Sequence, residues 1–435
     1  MSDNVLGFDT QRIHAGYDPA QHNQAVSPPI YATVAYDFRD VQAAKDLFSY
    51  TAPGFLYTRV GNPTVAVLEE RLRILDGAAG AIALASGMAA ISYTLLNLAE
   101  GGAGRVLVSP YLYGGSVDAF KKIFPKLGVG IDIAKNIADP AKLAKEIKPD
   151  TKAIFIESIS NPNAYLFDVD AIAKVAHDNG IPLVVDNTIA TPYLYNPIAH
   201  GADFVVYSAT KGLSGHGNVI AGVVLESGNF DLKSEKFPQF SEKYYTLRDT
   251  DGNERSVLEA FPDTPFVSRI RFNYLNFLGA SLSPFDAYLA ILGLETLSER
   301  IDKQSRTTLI LASYLEAHKA VEWVRYGALE SSPYQALYQR DFKKGAGGLL
   351  SFGFKGTEEQ REKFINAIDL FHYHVNIGDA RSLLVNSPKT THGELTAEEK
   401  EVADIPENLI RISAGLEDPS DLITDLEQAF VKAFA

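Results

Sequence analysis

Pro182-Leu183-Val184-Val185-Asp186-Asn187-Thr188 reads as a short strand that is apolar along its whole length and ends in a carboxylate. A strand without alternation is covered on both faces, as in a parallel sheet held between helices. Similar runs recur at Ala81–Ala85, Arg105–Ser109, Gly130–Ile133, Ala153–Glu157, Phe204–Ser208 and Ala221–Leu225. Helical stretches such as Thr64–Leu75, Pro140–Ile147 and Val169–Asn179 lie between them. Asp139-Pro140 starts one of these by its chemistry, since Asp caps free N–H groups and Pro suits the first helical position. The alternation predicts an α/β fold, a mostly parallel central sheet with helices on both faces, whose ligands bind at the carboxyl ends of the strands.

Outward from this block the texture changes in both directions. Residues 1 to 65 carry Tyr31, Tyr36, Phe38, Tyr50, Phe55 and Tyr57 without a sustained period, so an arm is expected that buries its aromatics on another body, such as a neighbouring subunit. Large-domain sequence is expected over 66–262, and the polar, aromatic-rich stretch Asn229–Pro265 around its end suggests a long loop or lid. A connecting helical region over Phe285–Ala317 opens the third part, 263–435. Strands at Gly348–Phe354, Ser382–Asn386 and Leu409–Ser413 and helices at Thr357–Leu370 and Asp421–Phe434 then predict a smaller C-terminal α+β domain. The length, 435 residues, suits two or three domains.

Composition removes several classes of function. A net charge of −14 repels phosphate backbones and argues against nucleic-acid binding. Without cysteine there is no disulfide framework, thiolate metal site or cysteine nucleophile. The start, Met1-Ser2-Asp3-Asn4-Val5-Leu6-Gly7-Phe8-Asp9, has neither the basic nor the apolar stretch of a secretory signal, and no apolar run reaches membrane-spanning length. The expectation is a soluble cytoplasmic protein with no membrane partner. Gly-x-Gly-x-x-Gly after a strand and Gly-x-Ser-x-Gly are absent. His372 and His374 lack a carboxylate at helical ligand spacing, so no metal is expected.

The chemistry concentrates in four segments. In Tyr207-Ser208-Ala209-Thr210-Lys211-Gly212 a lysine follows an apolar strand, where desolvation lowers its pKa toward a nucleophilic amine. Alone, the segment reads more readily as a surface lysine in a turn. Asp186 ends a buried-looking strand and needs a cationic or hydrogen-bonding partner, which a protonated pyridine nitrogen or a turn it caps would supply. Ser86-Gly87-Met88-Ala89-Ala90 opens a helix and offers backbone N–H groups to an anion, although Ser-Gly turns before helices are common. Glu157-Ser158-Ile159-Ser160-Asn161-Pro162 ends another strand with an amide that is also an ordinary Asn-Pro turn.

Taken in order, Tyr57-Thr58-Arg59-Val60-Gly61-Asn62-Pro63-Thr64, Ser86-Gly87-Met88, Tyr111-Leu112-Tyr113-Gly114-Gly115, Asp186-Asn187-Thr188, Ser208-Ala209-Thr210-Lys211 and Arg411-Ile412-Ser413-Ala414-Gly415-Leu416-Glu417 resemble the Cys/Met-metabolism family of pyridoxal-phosphate (PLP) enzymes. The resemblance covers nearly the whole chain. Asn376-Ile377-Gly378-Asp379-Ala380-Arg381-Ser382-Leu383, followed by Thr390-Thr391-His392, resembles the O-acetylhomoserine sulfhydrylase branch, as does the insertion around Phe230–Phe261.

The resemblance implies a PLP-dependent transferase of fold type I, with pyridoxal 5'-phosphate as cofactor. It implies that Lys211 carries the cofactor and moves protons with help from Tyr113, and that Asp186 faces the pyridine nitrogen. Gly87, Met88, Ser208 and Thr210 would bind the phosphate, Tyr113 would stack on the ring, and Asn161 would lie near its phenolic oxygen. Tyr57 and Arg59 would reach the phosphate of a neighbouring subunit, in a homotetramer built from dimers. Arg411, with Ser382, would bind substrate, the arginine by a fork suited to an α-carboxylate. The implied reaction is γ-replacement on O-acetyl-L-homoserine by sulfide or a thiol, giving homocysteine and acetate in methionine biosynthesis. Cystathionine γ-synthase, cystathionine γ-lyase and methionine γ-lyase are rivals within the family; Gly115, in place of a cysteine, counts against the last. A non-catalytic α/β binding protein is the rival of another class, and intact Lys211, Asp186 and Arg411 count against it.

Overall fold

The computed structural model describes residues 6–100, 102 and 104–435; Met1–Val5, part of the segment read for a secretory signal, lie outside the described residues. Seven strands form the large sheet: β1 (Gly80–Leu84), β2 (Gly104–Val108), β3 (Val129–Ile133), β4 (Thr151–Glu157), β5 (Leu183–Asp186), β6 (Phe204–Tyr207) and β7 (Gly222–Glu226). Their order is β1-β7-β6-β5-β4-β2-β3. β7 runs antiparallel to β1 and β6, and the other pairs are parallel. Successive residues are apolar because each face has its own core. Val185 and Val205 pack with Leu68 and Leu72 on one side, whereas Val184 and Val206 pack with Leu95 and Leu98 on the other.

Local chemistry sets the helices between these strands. Asn62 caps helix Pro63–Asp76 through a bond from Thr64 N (2.9 Å), Pro63 takes the first turn, and Gly77 ends it at φ 65°. Asp139 caps the next predicted helix as expected, but the α-helix covers only Pro140–Leu143 and continues as a 3-10 turn, Ala144–Glu146. Pro149 follows closely, and residues ahead of a proline are driven out of the helical region.

Two other expectations change. Asn229–Pro265 is a packed cover rather than a loop or lid: Phe237, Phe240, Leu247 and Val257 join the core on one face of the large sheet. It also contains a hairpin, β8 (Lys243–Arg248) with β9 (Glu254–Ser256). The connecting helix is two helices, Pro284–Leu294 and Leu297–Glu316. Arg300 takes the Gly293 carbonyl (2.6 Å) and Arg12 the Glu295 carbonyl, so acceptors freed by the break are satisfied by arginines.

The small sheet has order β10-β11-β14-β13-β12, with β10 (Val321–Arg325), β11 (Leu349–Phe354), β12 (His372–Tyr373), β13 (Leu383–Val385) and β14 (Leu409–Ser413). β10 and β12 were not legible in the sequence. Helices Glu358–Asn366 and Pro419–Phe434 cover it, with Phe352, Phe364, Leu422, Leu426 and Phe430 in its core.

Residues 6–59 divide in two. Helix Phe8–His14 lies against its own chain, with Phe8 near Tyr193 and Arg12 bound to Glu299. The remainder is exposed at Val26 (92%), Val34 (62%), Val41 (74%) and Phe48 (59%). Among the described residues no helix is long and apolar enough to cross a membrane.

Candidate active site

Parallel strands end on one side of their sheet, so whatever follows β1, β4, β5 and β6 is gathered there. These ends line a cavity of ≈ 260 Å³, bounded across from them by residues 375–377 and Arg411. Gly87, Met88, Tyr113, Asn161, Asp186, Ser208, Thr210, Lys211 and Arg411 all border it.

The cavity floor is two carboxylates. Asp186 at the end of β5 stands in register with Glu157 at the end of β4, which puts both on the same side of neighbouring strands. Asp186 accepts from Thr188 N (3.0 Å). Burial raises its pKa, against the lowering effect of the Thr188 bonds. Burial and then the charge of Asp186 push Glu157 well up, opposed by the N–H groups of Tyr113 (2.7 Å) and Asn161 (2.9 Å). Such a pair calls for a cation. Sequence reasoning passed over Glu157 although it carries the same signal as Asp186, a carboxylate closing an apolar strand.

Lys211 follows β6 in a glycine-rich turn and donates from Nζ to Oδ1 of Asn376 (2.7 Å). Its pKa falls to about 8, through burial and then the charge of Arg411. Asn376 lies in a loop without periodicity, and only the family motif drew attention to it. Arg411 sits in β14, the central strand of the small sheet, and is buried. Its Nη1 donates to Asn161 Oδ1 and its Nη2 to the Asn376 carbonyl, both at 2.9 Å. Burial lowers its pKa to about 10, and its buried Nε has no partner within the described residues.

On the opposite side, helix Gly87–Ala99 points its N-terminus into the cavity. Ser86 caps it by accepting from Ala89 N (3.1 Å), which leaves the Gly87 and Met88 amides without helical partners. A Cβ on Gly87 would come within 2.6 Å of Ser208 Cβ, so glycine is what lets the helix end approach the Ser208 turn. Thr210 borders the same space, with its hydroxyl donating to the Ala221 carbonyl (3.2 Å) and accepting from Ala221 N (3.0 Å). Tyr113 begins helix Gly114–Lys122 and is 37% exposed.

Three expected residues stand outside the cavity lining. The Arg59 guanidinium lies 5.0 Å from the Tyr57 ring centroid, and neither residue borders the cavity of its own chain. Ser382 is buried, with its hydroxyl donating to Glu417 Oε2 (2.7 Å) and accepting from Gly415 N (2.8 Å), so it ties the 376–382 loop to the end of β14. The rings of His372 and His374 have centroids 6.1 Å apart, and neither residue lines this cavity.

The donor set fits PLP. A helix N-terminus with two free amides and the Ser208 hydroxyl suits a phosphate. Asp186, buried beside Glu157, suits a protonated ring nitrogen, and a lysine of lowered pKa suits an aldehyde. The orphaned Nε of Arg411 leaves a donor for a substrate carboxylate.

Comparison with known proteins points to the same cofactor. Residues 9–431 match the family model described as Cys/Met metabolism PLP-dependent enzyme. The chain is 41% identical over 426 residues to the homocysteine synthase of Schizosaccharomyces pombe, covering 97% of both chains. It is 36% identical to the O-acetyl-L-homoserine sulfhydrylase of Leptospira meyeri, over 97% of this chain and 96% of that one. Among solved structures it resembles a putative O-acetylhomoserine (thiol)-lyase of Campylobacter jejuni that carries N'-pyridoxyl-lysine-5'-monophosphate. The TM-score is 0.92 at 36% identity, over 98% of this chain and 100% of that one.

Proposed function

The chain belongs to the Cys/Met metabolism family of PLP-dependent enzymes, and from that membership we propose that it converts O-acetyl-L-homoserine and sulfide into L-homocysteine and acetate. The observation that carries the reading is the convergence of Lys211, Asp186 and Arg411 on one cavity.

Each residue has a task that its surroundings support. Gly87, Met88 and Ser208 hold the phosphate of PLP, with Thr210 beside them. Asp186 stays anionic opposite the ring nitrogen, Tyr113 lies along the ring, and Asn161, whose Oδ1 is taken by Arg411, keeps its Nδ2 free to donate to the phenolic oxygen. When bound, PLP supplies an electron sink that makes the substrate's Cα–H acidic. Arg411 grips the α-carboxylate and aims Cα–H at Lys211, whose Nζ takes that proton and serves as carrier for the next one at Cβ, with Tyr113 assisting. Acetate leaves from Cγ and sulfide takes its place. Ser382 acts on substrate binding through the loop that it ties to β14.

The assembly belongs to the same reading. Both cations lining the cavity, Lys211 and Arg411, have tasks away from the phosphate. Its charge therefore calls for a cation from elsewhere, and Arg59, carried with Tyr57 on an exposed arm reaching to residue 65, supplies it to a second copy. A large domain over 66–262, a smaller part over 263–435 and a homotetramer built from dimers complete the proposal.

Product analysis tests it. With sulfide present, O-acetylhomoserine should give homocysteine faster than O-succinylhomoserine or O-acetylserine give their products, and cystathionine and methionine should be cleaved slowly or not at all. Cystathionine cleavage as the dominant activity would sink the reading.

A further inference from the structure

The peptide between Leu112 and Tyr113 is gripped at both of its polar ends. Its N–H donates to Glu157 Oε1 (2.7 Å), and its carbonyl accepts from His392 Nε2 (3.1 Å). A carbonyl only accepts, so Nε2 bears the imidazole proton and Nδ1 accepts from the Thr391 hydroxyl (3.0 Å). Both gripping residues are buried and anchored. Glu157 uses its second oxygen on Asn161 N (2.9 Å), and the His392 backbone N–H is bound to the Ser387 carbonyl (3.0 Å). Burial keeps the imidazole neutral, with a pKa of about 4. The Thr391 carbonyl fills the place where a side chain on residue 114 would lie, which presses the His392 segment against the start of the helix after Tyr113.

The Tyr113 ring needs such support. Gly114 and Gly115 follow it, the ring lies against Gly115, its side chain makes no capping bond, and 37% of the residue is exposed, so the backbone has a large share in setting its direction. We propose that Glu157 and His392 are positioning residues for Tyr113, fixing the plane of the Leu112–Tyr113 peptide and so the direction in which the ring enters the site. The inference rests on the reading that Tyr113 lies along the cofactor.

The test uses the full chain with His392→Leu, His392→Gln, Glu157→Gln and, as control, Tyr113→Leu. Three quantities are read: hydrogen exchange of the Tyr113 amide in the cofactor-free protein, visible circular dichroism of bound PLP, and kcat/KM for O-acetylhomoserine. His392→Leu and Glu157→Gln should speed exchange at Tyr113 and alter the dichroism. They should also lower kcat/KM about ten- to a hundredfold, the scale of a small misplacement at a reacting centre. His392→Gln keeps an N–H donor and should recover most of the loss. If His392→Leu fails to fold, Glu157→Gln carries the comparison. Exchange and dichroism unchanged in His392→Leu and Glu157→Gln, with only thermal stability reduced, would overturn the inference. If Tyr113→Leu itself leaves dichroism and kinetics unchanged, the reading of Tyr113 in the site fails instead.

Discussion

Lys211 and Asn376 meet at 2.7 Å, with Nζ donating to Oδ1, across the gap between the large sheet and the small one. The partner is a neutral amide. It accepts from the ammonium but adds no full negative charge to hold the proton there, and burial lowers the pKa to about 8.

Replacing that amide by a carboxylate should reverse the balance. In the cofactor-free protein, PLP uptake needs neutral Lys211, so the uptake rate should rise with pH through about 8. Asn376→Asp should move this rise upward by roughly a unit or more, because an opposite charge at hydrogen-bond distance favours the ammonium. Stopped-flow absorbance between pH 6.5 and 10 measures it; a wild-type rate flat over about 7 to 9 would refute the role of the lowered pKa.

Arg411→Lys keeps the charge and loses the fork. PLP occupancy should hold, while kcat/KM for O-acetylhomoserine falls by the equivalent of about 2 kcal/mol or more, the scale of breaking a buried charged hydrogen bond. Occupancy, melting temperature and steady-state kinetics on the same preparation separate this from a structural role, which would lower stability and leave KM near normal.

Mixing tests the shared site. Arg59→Ala and Lys211→Ala chains should each be inactive, and equal mixing after dissociation should restore up to about a quarter of wild-type activity, because half of random dimers carry one intact site of two. Mixed oligomers verified by mass spectrometry yet without activity would place Arg59 outside the partner's site.

His392 gives stability a pH dependence of known sign. Its folded pKa is about 4 against an ordinary 6.5, so the unfolded chain binds more protons between those values. Stability should fall as pH drops through about 6.5 and this contribution should level off below about 4, reaching at most about 3 kcal/mol. His392→Gln should flatten that part of the melting-temperature curve. An identical slope in the variant would show that other groups carry it.

How much of this was legible depended on where each residue's partners lie. Asp186, Lys211 and the Ser86-Gly87 turn follow strands whose apolar runs are local signals, and the topology then gathers them. The structure adds Asn376, whose partner Lys211 is distant in sequence and whose loop has no period to read. Glu157 was visible as a carboxylate after an apolar strand, but its two N–H partners come from separate turns. The cover over Asn229–Pro265 looked like a loop because its buried aromatics, Phe237 and Phe240, are spaced irregularly and find their core only against the large sheet.

The place of β1 in the large sheet bears on the order of events during synthesis. β1 is the first strand made, yet among the described residues its only partner in the sheet is β7, the last. A ribosome must therefore reach Glu226 before Ala81–Leu84 can pair, and until then an apolar strand has helix Pro63–Asp76 against it but no strand beside it. The Ser86-Gly87 turn is delivered to Ser208 by the same late docking, so the proposed phosphate site would be closed by one of the longest-range contacts in this part of the chain. Pairings of that kind form slowly and leave nascent chains open to aggregation. A nascent chain arrested before β7 has no route to holding the cofactor, and cofactor capture becomes a marker that this half of the polypeptide has finished folding.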